Sequence, residues 1–464
     1  MRGTRLASFA WGVLVSGALS VGAVSGAFAA DVAPPAAESP TVESTPVQSG
    51  PFRPGFPIDG WMIYPSIFVG AVFDDNARQV ANGTERNSGW GVRVTPNFIE
   101  TYDVGIHQTL LYQVVDARLF PGIGSAPQGE PNANANSVAA TVGFRHRYEA
   151  MRDLVFNFYG DYTRETDIFN SALNFNNGAI GPTPSTSPAP ILLNPFGTSP
   201  AVNPVAYNQF SGGAAVTKTM GEGFVTLGGD IAHIAWDHTN SPFQIAEDGT
   251  IYRVTGRAGY NINPQFYVFA EGQGIFQHVN NSTTVDTSGY RIVGGIGTAD
   301  PHSLFSGEIY GGYQFQHEDL TTDLNIPGLH GGNTHDDVFG GRLYYYPTRY
   351  WTVLAWAEES LGVTMLGSAT APVGTPTRTF TSILQTTYHL SRVWWVGARA
   401  GYTRAQYIGT PRLDHGWMAG ASFNYEVWRN LVATLDYQHT ANHSNAAFSS
   451  FDDNRYSAGL TYQY

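Results

Sequence analysis

Residues 154–165 read LVFNFYGDYTRE. Taken every second residue, Leu154, Phe156, Phe158, Gly160 and Tyr162 form one face, and Asn157, Tyr159, Asp161, Thr163 and Glu165 form the other. Side chains alternate across a β-strand, so this segment offers one surface to hydrocarbon and one to water. Strands of soluble proteins average roughly 5–6 residues, whereas a tilted membrane-crossing strand needs about 9–11. The pattern recurs. Trp417, Ala419, Ala421, Phe423 and Tyr425 oppose Gly420, Ser422, Asn424 and Glu426, and Leu431, Ala433, Leu435 and Tyr437 oppose Thr434, Asp436 and Gln438. No helix-length apolar run follows Trp61. Backbone groups in lipid need internal partners, which helices or a closed barrel supply, so the pattern predicts a barrel.

Turn chemistry separates these segments in an alternating way. Tight connections fall near 102–105, 150–153, 220–223, 262–265, 300–303, 347–350, 390–392 and 429–430, with longer polar loops between them. Short turns at one end and long loops at the other are the habit of outer-membrane barrels, whose long loops face outward. The expected fold is all-β: a transmembrane antiparallel up-and-down barrel of 18 strands, with 16 as the alternative. The longest loop, 166–206, is long enough to fold inward and block a pore. At the end of the chain, Tyr456, Ala458, Leu460, Tyr462 and Tyr464 alternate with small or polar residues. Tyr456, Leu460, Tyr462 and Tyr464 form the expected recognition signal for the barrel-assembly machinery.

The rest of the composition agrees. Charged residues make up 13% of the chain and aromatics another 13%, and there are 53 glycines and no cysteine, so disulfides and thiolate metal sites are excluded. A formal net charge of −13 argues against a nucleic-acid partner. Residues 1–29 carry Arg2 and Arg5, then an uncharged stretch ending in Ala27-Phe28-Ala29. This reads as a signal peptide for Sec export to the outer membrane. Residues 30–58, rich in Pro, Ala, Ser and Thr, read as a disordered periplasmic lead, and 59–464 as the barrel. Tyr148, Tyr260, Tyr344, Tyr345, Tyr346, Trp351, Tyr388, Trp394, Trp395, Tyr425, Trp428 and Tyr462 lie near the short-turn ends. They are expected to form the periplasmic aromatic girdle, facing lipid headgroups.

Residues 63–76 read IYPSIFVGAVFDDN, and residues 90–96 read WGVRVTP. An opening strand ending in an aromatic-Asp-Asp-Asn tract, followed by a strand with an apolar-Pro element, resembles a family of bacterial outer-membrane porins. It is named the second putative beta-barrel porin family. The resemblance implies a barrel in the outer membrane. It also implies a link, in some members, to exopolysaccharide production or export.

Charges on a lipid face cost about 2–4 kcal/mol near the midplane, so the polar register is assigned to the lumen. That register carries Arg93, Arg145, Arg147, Arg253, Arg257, Arg291, Arg342 and Arg399 with Asp161, Glu165, Asp230, Glu271, Glu308, Glu426 and Asp436. Arg145 and Arg147 stand across from a strand offering Asp161 and Glu165. This arrangement would place a transverse field across a water-filled constriction. A neutralised network that stiffens the interior is the alternative. Phe73-Asp74-Asp75-Asn76 recurs as Phe451-Asp452-Asp453-Asn454. First and last strands are neighbours in a closed barrel, so Asp74, Asp75, Asp452 and Asp453 form a candidate Ca²⁺ site at the outer rim, bridging to lipopolysaccharide phosphates. The acid–histidine neighbours, such as Asp414-His415, lack a nucleophile at useful spacing, so no enzymatic role is expected. The expected function is passive diffusion of small hydrophilic solutes through a charged lumen. The alternative is a structural, exopolysaccharide-exporting or surface-associated barrel without general pore activity.

Overall fold

The period-two segments become strands in a computed structural model that describes residues 55–123, 135–165, 205–237, 244–280, 285–298, 304–320, 332–348, 350–368, 371 and 373–463. The first half contains β1 (Phe56–Ile58), β2 (Trp61–Asp74), β3 (Gly89–Asp103), β4 (His107–Leu119), β5 (Ser137–Met151), β6 (Leu154–Glu165), β7 (Tyr207–Met220), β8 (Gly223–Trp236), β9 (Gln244–Ala246) and β10 (Gly249–Asn261). Next come β11 (Phe266–Val279), β12 (Val285–Thr298), β13 (Phe305–Leu320), β14 (Gly332–Thr348) and β15 (Trp351–Val363). The last are β16 (Leu366–Ser368), β17 (Pro376–His389), β18 (Trp394–Tyr407), β19 (Leu413–Trp428), β20 (Leu431–Ser444) and β21 (Phe451–Gln463). The three-residue β1, β9 and β16 aside, eighteen strands pair antiparallel in chain order. β21 closes the sheet on β2, from Ser66↔Gln463 to Asp74↔Arg455. The barrel therefore has 18 strands, not 16.

Seven of the eight expected short turns lie where the sequence places them, and the eighth, near 300–303, lies outside the described residues. In the turn between β7 and β8, Gly221 has φ 63°, a backbone state that a tight hairpin needs and glycine adopts without strain. Residues 56–58 of the expected lead pair as β1 with Trp61–Ile63 of β2. They continue, along the same edge of β2, the ladder that β21 leaves at Ser66, so those backbone groups find partners. The remainder of the lead described here is Gly55. The expected signal peptide, 1–29, and Tyr464 lie outside the described residues.

The two registers divide by polarity. Ile67, Val69, Val92, Phe144, Leu227, Val254 and Ile292 are exposed on the outer face, as a surface bathed in acyl chains requires. Arg93, Arg253, Arg257, Glu271, Gln273 and Arg291 are buried on the inner one. The girdle needs one correction. Tyr344 and Tyr346 share the inward register of Arg342, and Trp395 shares that of Arg399, so these three rings face the interior. Proximity to a turn places a ring at the right depth, but parity along the strand decides its side.

β15 departs from a simple staves-in-a-barrel arrangement. Its pairing with β14 stops at Gly340↔Glu358, while its pairing with β17 continues to Val363↔Pro376. Beyond Glu358 β15 therefore parts from β14, while β17 stays paired with β18 as far as Thr377↔Tyr407. Gln314 on β13 bonds the backbone of Leu361 in both directions, across the position of β14. Arg378 pairs with Asp336 of β14 at 3.0 Å and also with Glu359.

Candidate functional site

The inner wall is built from ion pairs that follow the pleat. Arg93 donates from Nε and Nη2 to both oxygens of Asp116, which also accepts from Thr95 and, at 2.6 Å, from Arg118. Arg253 reaches Asp230 at 2.8 Å. Arg257 donates to Glu271 at 2.7 Å and to Glu308 at 3.0 Å, and lies 4.1 Å from the centre of the Phe269 ring. Arg291 pairs with Glu358 at 2.9 Å and covers the Tyr310 ring. Arg399 grips Asp436 through two parallel bonds of 2.8 and 2.9 Å and also reaches Gln438. Such forked geometry suits arginine, whose planar donors match a carboxylate. Arg147 turns to Glu149, two residues along its own strand, at 2.6 Å.

All fifteen charged residues assigned to the lumen lie on the inward register; Glu165, Arg342 and Glu426 are partnered as well. Their connections differ from the facing pairs drawn from sequence. Across from Arg145 stands Tyr159, and across from Asp161 stands Gly143. Neither Arg145 nor Asp161 has an ion-pair partner among the described residues. Arg145 lies instead between two rings, 6.0 Å from that of Tyr112 and 5.9 Å from that of Tyr159. A Cβ on Gly143 would come within 2.5 Å of both the Asp161 carboxylate and the Tyr112 hydroxyl, so glycine is what lets them converge. Most of the wall is thus a neutralised network. The β4–β6 sector keeps one arginine and one aspartate uncompensated.

Sequence reasoning missed several members. Asp116, Arg118, Glu358 and Arg455 occupy the same register, and the period-two rule could have found them. The inward hairpin left no comparable signal. Of its tip, residues 364–368, 371 and 373–375 are described, and the first of these segments reaches the inner face of the wall formed by β8, β10 and β11. Met365 is fully buried there in a cluster with Tyr207, Ile234, Trp236, Ile251 and Val279. Gln277 donates to its sulfur at 3.3 Å. β16 pairs with β9 from Leu366↔Ala246 to Ser368↔Gln244, and Glu247 N–H donates to the Met365 carbonyl. The returning limb packs Ala371 against Ala405 and Tyr407 of β18. This strap across the interior comes from a loop the sequence reading did not single out. The 166–206 loop proposed for that role lies outside the described residues except for Val205 and Ala206.

At the seam, Asp74, Asp75 and Asp453 bring carboxylate oxygens within 4.8 Å of one another. Asp452, expected with them, faces the other way and accepts from Asn82 at 2.8 Å, because it is one residue out of phase. Five of the six oxygens already accept. Asp74 takes the Asn76 N–H and Arg455 Nε, Asp75 takes the Asn454 backbone and side-chain amides, and Asp453 Oδ2 takes Arg455 Nη2. Asp453 Oδ1 alone lacks a partner. Calcium takes about 6–8 oxygen ligands, so an ion here would have to displace Arg455, whose charge already lies between Asp74 and Asp453. Calorimetric titration with Ca²⁺ is expected to give matching traces for the wild type and Asp452→Ala. A saturable isotherm abolished by Asp453→Asn would show that an ion does displace the guanidinium.

A closed eighteen-strand barrel with an apolar exterior and a charged, polar interior defines an outer-membrane channel of porin type. The chain belongs to the family described as "Putative beta-barrel porin 2", whose model matches residues 193–464. Among solved structures, the fold is similar to the outer membrane protein OpdK from Pseudomonas aeruginosa, with 10% identity, TM-score 0.39, and coverage of 87% of this chain and 99% of that one. It is similar also to the outer membrane channel DcaP of Acinetobacter baumannii, with 11% identity, TM-score 0.42, and coverage of 89% and 100%. A BenF-like porin from Pseudomonas fluorescens Pf-5 gives 11% identity, TM-score 0.41, and coverage of 88% and 99%. No curated protein sequence matches the chain. The family match and the chain's own strand closure carry the assignment. It is a porin-like barrel of the bacterial outer membrane, set in membrane lipid, with the architecture of a pore for small solutes.

Proposed function

We propose that the barrel conducts small hydrophilic solutes by passive diffusion and that Arg145 and Asp161 bias which charges pass. The observation that carries this reading is the contrast within the lumen wall. Paired charges such as Arg399–Asp436 present almost no net field, whereas Arg145 and Asp161 stand uncompensated between β4 and β6. In a constriction of low dielectric, a lone charge acts over a longer range than in bulk water. Tyr112 and Tyr159 hold the guanidinium in place by cation–π attraction, leaving its donors available to an anionic or hydrogen-bonding solute.

Upstream of transport, we infer export through the Sec pathway by residues 1–29 and insertion by the barrel-assembly machinery. Tyr456, Leu460 and Tyr462 support the second step, since all three are exposed on the outer register of the closing strand. The test is single-channel recording of the refolded barrel in a planar bilayer. Stepwise openings are expected, with Arg145→Ala moving the reversal potential towards cation preference and Asp161→Asn moving it the opposite way. A barrel shown folded by heat-modifiable gel mobility, yet electrically silent, would sink the open-channel reading.

A further inference from the structure

We propose that the lipid-facing wall from β14 to β20 binds one phosphorylated, multiply acylated lipid of the outer leaflet, with acyl chain in a groove of small residues and phosphate on Arg404, His415 and His443. The groove has a volume of about 720 Å³. Its floor is made by Gly341, Ala355, Ala357, Ser382, Ala400 and Ala419, all on the outward register of five adjacent strands. Phe339, Leu343, Leu384 and Trp417 stand up as its walls and are well exposed. Elsewhere the outer face is filled by residues such as Val69, Phe144, Leu227 and Ile292. The depression thus has two causes, the run of small side chains and the departure of β15 from β14 above Gly340↔Glu358.

What lies directly above the groove sets the chemistry of its occupant. Tyr402 and Trp417 face each other across β18 and β19 with ring centres 4.4 Å apart. Aromatic residues of this kind sit at the membrane–water interface. Two residues further towards the long-loop end, about 7 Å along the strands, Arg404, His415 and His443 form one cross-strand row. The Tyr402 hydroxyl bonds His415 Nδ1 at 2.9 Å and so ties the aromatic pair to that row. Arg404 is exposed and has no acid partner among the described residues. Other outward cations at this end are matched, Arg86 with Asp452 and Arg164 with Asp237. An unmatched guanidinium at headgroup depth, with His415 beside it and His443 next in the row, is complementary to a phosphate, which it can grip through two bonds. An apolar groove continuing below it towards the membrane centre is complementary to an acyl chain. The two features belong to the same strands and meet at Tyr402–Trp417, so a single amphiphile would satisfy both.

The experiment uses the full refolded chain in detergent, offered diphosphorylated lipid A, the same lipid stripped of phosphate, or phosphatidylcholine. Retained lipid is counted by native mass spectrometry. One lipid A per barrel is expected on the wild type, with at least tenfold weaker retention for Arg404→Ala, for Ala400→Phe, which fills the groove, and for the dephosphorylated lipid. Arg404 is exposed, so its variant should fold, and heat-modifiable mobility checks both variants. Equal retention of lipid A by the wild type and Arg404→Ala, or of phosphatidylcholine and lipid A by the wild type, would overturn the proposal. So would a dimer or trimer of the chain that Ala400→Phe dissociates, since the groove would then belong to a second copy.

Discussion

Arg257→Ala is expected to destabilise the folded barrel by about 3–5 kcal/mol, the cost of removing one partner from a buried ion network. The guanidinium side chain is 5% exposed, Glu271 is 3% exposed and Glu308 18%. Its loss would leave two carboxylates facing each other across a poorly hydrated wall. It would also remove the cation from the Phe269 ring and one of the donors to Glu308, which keeps the Tyr267 hydroxyl. The partial exposure of Glu308 places the effect towards the lower end of that range, because water can reach one oxygen. Urea unfolding of the barrel in lipid vesicles, followed by tryptophan fluorescence, measures it. Adding Glu271→Gln and Glu308→Gln to Arg257→Ala should recover a large part of the loss, because the uncompensated charge goes with them. A single variant as stable as the wild type would mean that water, not Arg257, compensates these acids.

Replacing residues 364–375 by a short turn is expected to raise single-channel conductance several-fold. The strap lies inside the barrel with Met365 fully buried against β10 and β11, so it occupies cross-section that solute could otherwise use. Among the described residues its anchors are the β9–β16 pairing, the Met365 cluster, the Glu247–Met365 backbone bond, the Gln277–Met365 contact and the packing of Ala371 on Ala405 and Tyr407. Met365→Ala should therefore act in the same direction by a smaller amount, through noisier openings rather than a larger steady current. Unchanged conductance in the shortened variant would show that the path runs elsewhere and that its narrowest part lies beside Arg145.

The face of each charged residue was legible because strand side chains alternate with a strict period of two. Arg93 through Asp436 could be assigned inward one strand at a time, with no knowledge of neighbours. The identity of partners was not legible. Arg257 and Glu308 are 51 residues apart, and Arg291 and Glu358 are 67 apart. Which residues meet depends on the stagger accumulated from strand to strand, and no single segment encodes it. The pairing of Arg145 and Arg147 with Asp161 and Glu165 failed for that reason. The register between β5 and β6 is Arg145↔Tyr159, offset from the simple alignment of charged positions. The repeated Phe-Asp-Asp-Asn tract shows both sides of this. Closure of the first strand on the last does bring the two copies together, but parity sends Asp452 outward and Asp453 inward, where Arg455 lies between it and Asp74.

The sequence by itself determined the long strands, the short turns and the sidedness of the wall, because these follow from local periodicity and turn chemistry, whereas closure settled 18 strands over 16. The tertiary structure decided the rest: the ion pairs across strands, the lone Arg145 and Asp161, the strap and the outer groove with Arg404 above it. Each arises where the cylinder brings distant segments side by side. The strap and the groove share one origin, the end of β14–β15 pairing at Gly340↔Glu358, which turns a hairpin inward and leaves the outer wall depressed. Gly340-Gly341 on one strand and Glu358 on the other carry no local mark of that parting. It is the competition between continuing the ladder and burying Met365 across the lumen that settles it, and that competition exists only once the barrel has closed.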